Sequence, residues 1–153
     1  MPAPYDGGCL CGAIRYRLDA GPLSLYACHC RDCQRLTGSA FALWMVVARD
    51  ALATLCGEPH AYDVAMPDGR RKRGRFCGAC STRLWGEPER HPRVRILRPG
   101  TPHDTTGLQP IGSIWTRSAQ PWVAALGGAF DHAEQPQDPP ALVRAWQGRA
   151  QQQ

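Results

Sequence analysis

The sequence predicts a mainly β domain with little helix. The chain of 153 residues contains 16 glycines and 14 prolines, which favour many turns and short elements over long helices. Alternating or continuous apolar stretches recur along it, as in half-buried or buried strands. An apolar fraction of 43% is ordinary for a folded protein, and the length suits one domain with a substantial core.

Strands are expected wherever the apolar pattern has a period of two or is continuous over a short length. The first of these stretches alternates, with Ile14, Tyr16 and Leu18 on one side. The longest apolar run, residues 40–48, predicts a buried central strand. The full set of predicted strands is residues 13–19, 23–27, 40–48, two within 51–65 that are separated by a Gly-Glu-Pro break, 93–100 and 111–117.

Helix is predicted at only two places. Residues 32–38 fit one or two helical turns that end at Gly38. The tail, residues 134–153, begins as a polar, proline-rich linker and continues as a short helix that frays at its end. We therefore expect a folded domain over 5–133 followed by this tail, and a hairpin turn at residues 66–70, where Pro and Asp-Gly occur.

Hydropathy and charge limit the function classes. No run of about 18 apolar residues exists, so no transmembrane helix is expected. The first residues lack a basic stretch followed by an apolar one, so we expect no signal peptide and a cytoplasmic protein. The net charge of +5 counts every cysteine as neutral. Seven thiolates on two zinc ions would reduce it to about +2, which argues only weakly for a nucleic-acid partner.

The eight cysteines carry most of the chemical information. Seven of them occur in three clusters, CLC at 9–11, CHCRDC at 28–33 and CGAC at 77–80. In a reducing compartment such clusters are more often metal ligands than disulfides. The eighth, Cys56, stands alone in an apolar stretch and is expected to be a buried apolar residue.

Seven clustered thiols divide naturally as four plus three, because zinc prefers four ligands in a tetrahedron. Four thiols would close a structural site, whereas three would leave a coordination position free, as in a catalytic zinc site. Spacing leaves two groupings open. In one, residues 30–33 join 77–80 as a zinc ribbon; in the other, 9–11 join 77–80 and residues 28–33 supply three ligands to one face of an ion. Disulfides, or one zinc with spare thiols, are further alternatives.

Four motifs in order connect the chain to a known family. They are GGCLCGAIRYRL (7–18), CHCRDCQRLTGSAF (28–41), RFCGACSTRLW (75–85) and IWTRSAQPW (114–122). Together they resemble the glutathione-dependent formaldehyde-activating enzyme family, which also includes the centromere protein V domain. The resemblance extends over most of the chain, from about residue 5 to residue 130. The chain departs from the family pattern at Ser81, where glycine is common, and near Ser113, where histidine is frequent.

The resemblance implies a complex fold of twisted antiparallel sheets around structural zinc, of the mammalian-suppressor-of-Sec-four type. It also implies two zinc ions per chain, one in a closed four-cysteine site and one in an open three-cysteine site of catalytic type. The structural ligands would be Cys9, Cys11, Cys77 and Cys80, and the ligands and catalytic residues of the open site Cys28, Cys30 and Cys33.

The activity implied by the resemblance joins glutathione and formaldehyde into S-hydroxymethylglutathione, a carbon–sulfur lyase reaction. The residues agree with it, because a zinc with three thiolates is a poor Lewis acid for hydrolysis and its open position suits a soft sulfur ligand. The expected partners are therefore a small-molecule thiol and an aldehyde. We expect neither membrane nor nucleic acid as partner, and we leave room for a homo-oligomer.

An alternative from another class is a zinc-stabilised, non-catalytic binding module. Its contact surface would be the basic run GRRKRGR at residues 69–75, on the predicted hairpin. The run is more typical of a solvated hairpin strand, since it lacks the interleaved aromatic residues of a single-strand binding platform. His29, between two candidate ligands, is expected to point away from the metal, toward supporting contacts or the surface.

Overall fold

The structure is a computed structural model that describes residues 3–65, 69, 71–123 and 130–149. Short strands dominate it, and helix is confined to two segments and one 3-10 turn over Thr116–Ser118. The strands are β1 (Tyr5–Gly8), β2 (Arg15–Leu18), β3 (Ser24–Cys28), β4 (Ala42–Ala48), β5 (Leu52–Cys56), β6 (His60–Ala65), β7 (Arg71–Phe76), β8 (Arg83–Pro88), β9 (Val94–Leu97) and β10 (Ser113–Ile114), and the helices are α1 (Arg31–Thr37) and α2 (Pro140–Arg149).

The chain forms two compact units, each built from two separate segments. The first unit contains Met1–Pro22 and Val46–Gly107, and the second contains Leu23–Met45 and Leu108–Gln153. Strand β4 is divided between them, since the boundary falls after Met45. The cysteines at 9, 11, 56, 77 and 80 therefore belong to the first unit, and those at 28, 30 and 33 to the second.

The first unit contains a three-stranded sheet with the order β1-β2-β5, in which both pairs are antiparallel. Its alternation is regular, since Tyr16 and Leu18 of β2 are fully buried while the intervening arginines are exposed. The hydroxyl group of Tyr16 lies 2.8 Å from that of Thr101. Gly7 of β1 makes room for this ring, because a Cβ atom there would lie 2.4 Å from the Tyr16 hydroxyl oxygen.

The same unit contains the antiparallel strands β9, β8, β7 and β6 in that order. Trp85 of β8 is buried and meets Tyr16 edge to face, with ring centroids 6.4 Å apart. Such aromatic pairs, together with Leu84 and Leu97, supply the apolar burial that holds these strands. A register shift between Arg75 and Phe76 ends the regular part of β7 just before Cys77.

The second unit packs its helices against a short sheet. Strand β10 pairs in parallel with β3, matching Ser113 to Ala27, and β4 follows β3 in the strand order. Among the described residues of this unit, one buried cluster of six residues includes Leu142 from α2. Their full list is Cys28, Cys33, Ala42, Ile111, Ile114 and Leu142, so two of the candidate metal ligands are also core residues.

The predicted fold class is confirmed: the described chain is mainly β, with twisted sheets and little helix. Each predicted strand is present, although β10 is shorter than expected, and α1 ends at Gly38, whose φ of 64° is the left-handed conformation that favours glycine. Strands β1 and β8 were not predicted. Helix α2 is present, but its expected frayed end lies outside the described residues, as do positions 66–68 and 70 of the predicted hairpin turn. The division at residue 134 stays a prediction.

Candidate metal centres

The first candidate site joins two distant segments of the first unit. Cys9 and Cys11 follow β1, and Cys77 and Cys80 follow β7. All four sulfur atoms lie within 4.8 Å of one another. The Cys9–Cys11 separation is 3.5 Å and the Cys11–Cys77 separation is 3.7 Å. These values are close to the edge of a zinc–thiolate tetrahedron, about 3.8 Å, and too long for a disulfide bond.

Tight turns present these four sulfurs. The Ile14 N–H donates to the Cys9 sulfur over 3.2 Å. After the second pair, the Ser81 N–H donates to the Cys77 carbonyl over 2.8 Å, and Ser81 itself has a φ of 60°. This left-handed residue explains why glycine suits the position, as the family resemblance implies. Serine therefore occupies a conformation that costs it energy.

Hydrogen bonding also shapes the charge of this cluster. A hydrogen bond from the Thr82 hydroxyl, followed by the backbone N–H groups of Thr82 and Cys11, lowers the pKa of Cys80 to about 5. The same threonine oxygen accepts the Leu10 N–H over 3.1 Å, which ties the two turns together. Thr82 was not singled out from the sequence, although it follows the CGAC motif almost directly. A thiol that ionises this readily is suited to a metal ligand.

The second candidate site lies at the junction of β3 and α1 in the second unit. Cys28 is the last residue of β3, Cys30 is the N-cap of α1, and Cys33 lies in its first turn. Their three sulfurs also lie within 4.8 Å of one another. Cys28 and Cys33 are buried, whereas Cys30 is partly exposed. The cluster therefore has a buried side and an accessible side.

The pKa values of two thiols in this cluster, Cys28 and Cys33, are raised. Hydrogen bonds with Cys30 and Cys33, together with burial, strongly raise the pKa of Cys28. At Cys33 the hydrogen bond with Cys28 acts in the opposite direction, but Cys30 and burial outweigh it and raise the pKa to about 11. A cluster that resists negative charge in this way accommodates thiolates only with a cation among them. The donor set therefore fits a divalent, thiophilic metal such as zinc.

Aromatic side chains surround this second cluster. Five of them are partly buried against its core: Tyr26, Trp44, Trp115, Phe130 and Trp146. Trp85 and Trp122 are not in this group, because Trp85 packs in the first unit and Trp122 is 75% exposed. The sequence did not single out Trp44 as a neighbour of the cluster. It lies in the continuous apolar run of β4, which has no alternation of polar and apolar residues to show which side chains share a face.

His29 and Gln34 are buried supports of the second cluster. His29 is only 3% exposed, which corrects the expectation that it could lie at the surface. Its ring packs on Phe41 at 5.3 Å, and burial lowers its pKa. Gln34 donates to the carbonyls of His29 and Ser118 over 2.7 and 2.9 Å. The polar character of Gln34 gave no signal that it would be buried.

The described arginines of the basic run are paired with carboxylates. On β7, Arg71 and Arg73 both contact Asp63, and Arg75 contacts Glu87 through two hydrogen bonds of 3.1 and 3.2 Å. These arginines alternate along the strand and share the face that carries the acids. The charge that the run offers to an external anion is therefore smaller than its sequence indicates.

Cys56 belongs to neither cluster, and the prediction that it is buried was wrong. It is exposed at the end of β5, a strand in which only Leu52 is buried. Strand β5 lies at the edge of the three-stranded sheet. Four of its five residues, including Cys56, are exposed. An exposed thiol outside both clusters serves well as a control position in experiments.

A mainly β chain with one cluster of four thiols and one of three defines a class of protein with two candidate thiolate metal centres. Comparison with protein families matches residues 4–118 to the family described as glutathione-dependent formaldehyde-activating enzyme. The match covers most of the chain, and the chain belongs to this family. Neither helix of the described part of the chain has the length and apolar character needed to cross a membrane.

Individual proteins that resemble this chain share only a low sequence identity with it. A protein of Halomonas elongata, whose provisional name is glutathione-dependent formaldehyde-activating enzyme, is 29% identical over 93 residues, which is 58% of this chain and 59% of the relative. The chain thus matches somewhat more than half the length of that protein. A crystal structure of a Rhodobacter sphaeroides protein superposes with a TM-score of 0.54 at 16% identity, covering 67% of this chain and 92% of that one. The latter likeness concerns the fold alone.

Proposed function

We propose that the chain is a zinc-dependent carbon–sulfur lyase that forms or cleaves the adduct of a thiol, glutathione, with a small aldehyde such as formaldehyde. The observation that carries this proposal is the three-sulfur cluster of Cys28, Cys30 and Cys33, buried on one side and accessible on the other. Family membership gives the reaction class. We place the reaction in the cytoplasm, where glutathione is abundant and thiols stay reduced.

In this proposal the two clusters have different roles. Cys9, Cys11, Cys77 and Cys80 would hold a zinc ion with a complete set of four donors, which leaves no position for a substrate. Cys28, Cys30 and Cys33 offer only three donors and would hold the reactive ion. A zinc ion at the second cluster would supply a Lewis acid that favours the thiolate form of a bound thiol.

The reaction needs neither oxidant nor reductant. In the forward direction the thiol sulfur forms a bond to the carbonyl carbon, and the thiol proton ends on the carbonyl oxygen. In the reverse direction the carbon–sulfur bond breaks and the aldehyde leaves. The protein must hold the thiol and the carbonyl together and exclude competing water.

The residues around the second cluster support these tasks. The partly exposed residue Cys30 marks the accessible side. Tyr26 is two positions before Cys28 on the same face of β3, packs on the cluster core, and has no hydrogen-bond partner for its hydroxyl among the described residues. The aromatic neighbours restrict water. Tyr26 is the natural donor for the carbonyl oxygen of an aldehyde.

The binding-module alternative has less support. Its proposed contact surface is the basic run, and the arginines described there are paired with Asp63 and Glu87. A strand whose positive charge is partly neutralised in this way attracts polyanions less strongly. We therefore retain the enzymatic proposal.

The decisive experiment is exchange NMR with glutathione and ¹³C-formaldehyde at equilibrium. The uncatalysed exchange is measured first, and the protein with two bound zinc ions is expected to accelerate it. Cys30→Ser should return the rate to the uncatalysed value, while the matched control Cys56→Ser, at an exposed thiol outside both clusters, should keep it. No acceleration by the wild-type protein, or equal rates for the two variants, would refute the proposal.

A further inference from the structure

One exposed arginine beside the second cluster is held in place without a carboxylate partner. Arg31 directly follows Cys30, the partly exposed cysteine of that cluster. Its guanidinium donates over 2.5 Å to the side-chain oxygen of Gln34, and no carboxylate contacts it among the described residues. Arg17 and Arg73, by contrast, are each paired with an aspartate. The positive charge of Arg31 is therefore fixed in place but not neutralised within the described part of the chain.

A second donor lies beside this guanidinium. The side-chain amide of Gln120 donates to the same Gln34 oxygen over 3.0 Å, so the two donor groups are neighbours. Each of them uses only one of its N–H groups in this way. Among the described residues the remaining side-chain N–H groups of Arg31 and Gln120 make no hydrogen bond. They are available to an acceptor from outside the chain.

We propose that Arg31 and Gln120 form a carboxylate-binding subsite, which holds the glycine carboxylate of glutathione while the glutathione sulfur is at the three-cysteine cluster. The inference rests on the proposed function, and it narrows the substrate class to thiols that carry a carboxylate close to the sulfur. A guanidinium binds a carboxylate through parallel N–H hydrogen bonds, to which a neighbouring amide adds a further donor. A neutral thiol would lack these contacts.

Gln34 connects the subsite to the cluster. This residue is only 6% exposed, and its amide nitrogen donates to the carbonyl of His29, which lies between two of the cluster cysteines. The same nitrogen donates to the carbonyl of Ser118. The amide oxygen accepts from Arg31 and Gln120. One buried side chain therefore positions both donors and fixes the backbone beside the cysteines.

The dimensions of glutathione suit this arrangement. The Gln34 N–H donates to the Cys30 carbonyl over 3.0 Å, so the residue that holds Arg31 lies one helical turn from Cys30. In glutathione the glycine carboxylate is separated from the sulfur by about two extended residues, roughly 7 Å. A sulfur at the accessible side of the cluster therefore leaves the carboxylate within reach of the guanidinium.

The test combines exchange kinetics with a binding measurement on the zinc-loaded protein. Arg31→Gln, which removes the charge of an exposed side chain, should raise KM for glutathione about fivefold and leave kcat nearly unchanged. It should weaken the binding of S-methylglutathione, an unreactive thioether that keeps the carboxylate, by the same factor in calorimetry. The matched control is Arg35→Gln, the same loss of charge one turn further along α1, where no described side chain holds the guanidinium. This control should change neither quantity.

A change in the substrate gives an independent check. Glutathione whose glycine carboxylate is replaced by a carboxamide should have a KM about fivefold higher than glutathione with the wild-type protein. With Arg31→Gln the two thiols should have the same KM, because the positive charge that distinguishes them is gone.

Three results would overturn the inference. The first is equal KM values and equal S-methylglutathione affinities for Arg31→Gln and Arg35→Gln. The second is an effect of Arg31→Gln on kcat alone, and the third is a carboxamide penalty as large with Arg31→Gln as with the wild type. In these cases the proposed function stands if the wild-type protein accelerates exchange. A wild-type protein that gives no acceleration, but whose binding of S-methylglutathione depends on Arg31, would refute the proposed function and support the subsite.

Discussion

The side-chain amide of Gln34 donates a 2.9 Å hydrogen bond to the backbone carbonyl of Ser118, 84 positions further along the chain. Gln34 belongs to the motif that carries the three-cysteine cluster, and Ser118 to the last of the four family motifs. The same amide donates to the carbonyl of His29. One buried side chain thus connects two of the family motifs that are far apart in sequence, and both lie in the second unit.

We expect Gln34→Ala to lower the free energy of unfolding by about 1–3 kcal/mol, because two carbonyl groups lose their donor where water is largely excluded. Urea unfolding with both metal sites filled measures this change. Gln120→Ala is the matched control, since among the described residues the Gln120 side chain makes a single hydrogen bond, which it donates to the Gln34 side chain over 3.0 Å. Its cost should be below about 1 kcal/mol. An equal loss of unfolding free energy in the two variants would show that the two hydrogen bonds donated by Gln34 add no particular stability.

Cys30→Ser should remove one metal ion per chain and leave the fold in place. Serine is a favoured N-cap residue, so it can replace the hydrogen bond that Cys30 provides at the start of α1. Metal analysis and far-UV circular dichroism measure the two effects.

The comparison variant is Cys77→Ser, at a site that is only 1% exposed and part of the four-cysteine cluster. Loss of that metal should cost more than about 4 kcal/mol or prevent folding, because the ion would join two distant segments. Similar unfolding of both variants would mean that the three-cysteine metal is structural.

Ser81→Gly should stabilise the protein by about 0.5–1 kcal/mol, since glycine adopts the left-handed conformation without the steric cost that serine has there. Chemical denaturation of the zinc-loaded protein measures the gain. Ser81→Ala keeps a Cβ atom at the same backbone conformation and should give no gain. A stabilisation by alanine equal to that by glycine would contradict the strain argument.

Asp63 should titrate below its ordinary range. The hydrogen bond from Arg73, helped by the charges of Arg73 and Arg71, lowers the pKa of this carboxyl. A lowered carboxyl pKa contributes stability that is present above the unfolded-state value and is lost as the pH falls through the folded value. Carboxyl ¹³C NMR should show the midpoint rise toward normal in Arg73→Gln. Lys72→Gln, on the opposite face of β7, should leave it unchanged, and equal shifts would count against the ion pair.

Much of the fold was readable from local pattern. The alternation around Tyr16 and Leu18 identified β2, and Gly38 marked the end of α1. Strand β1 was missed because its last two residues are glycines, which have low strand propensity. Strand β8 was missed for a similar reason, since it contains Gly86 and Pro88. Both strands form through their neighbours, which local pattern does not reveal.

The cysteine clusters followed from spacing and resemblance, but their surroundings did not. The burial of His29 depends on Phe41 and on the Ile114 carbonyl, which accepts its N–H over 3.0 Å. The packing of Trp44 against the core of the second cluster depends on residues distant in sequence, such as Ile114. Cys56 was misjudged because an apolar composition does not distinguish an edge strand from a covered one. All three features depend on residues that are close in space but distant in sequence.

The division of the chain into interleaved segments has a consequence for synthesis on the ribosome. The four-cysteine cluster has all its sulfurs once Cys80 has emerged, within a unit that ends at Gly107. The three-cysteine cluster emerges much earlier, yet its covering residues Ile111, Ile114 and Leu142 arrive last. Its thiols therefore remain uncovered while 78 further residues are made to reach Ile111 and 109 to reach Leu142. Nascent chains would be most vulnerable to oxidation or wrong metals in that interval, and early zinc capture would protect them.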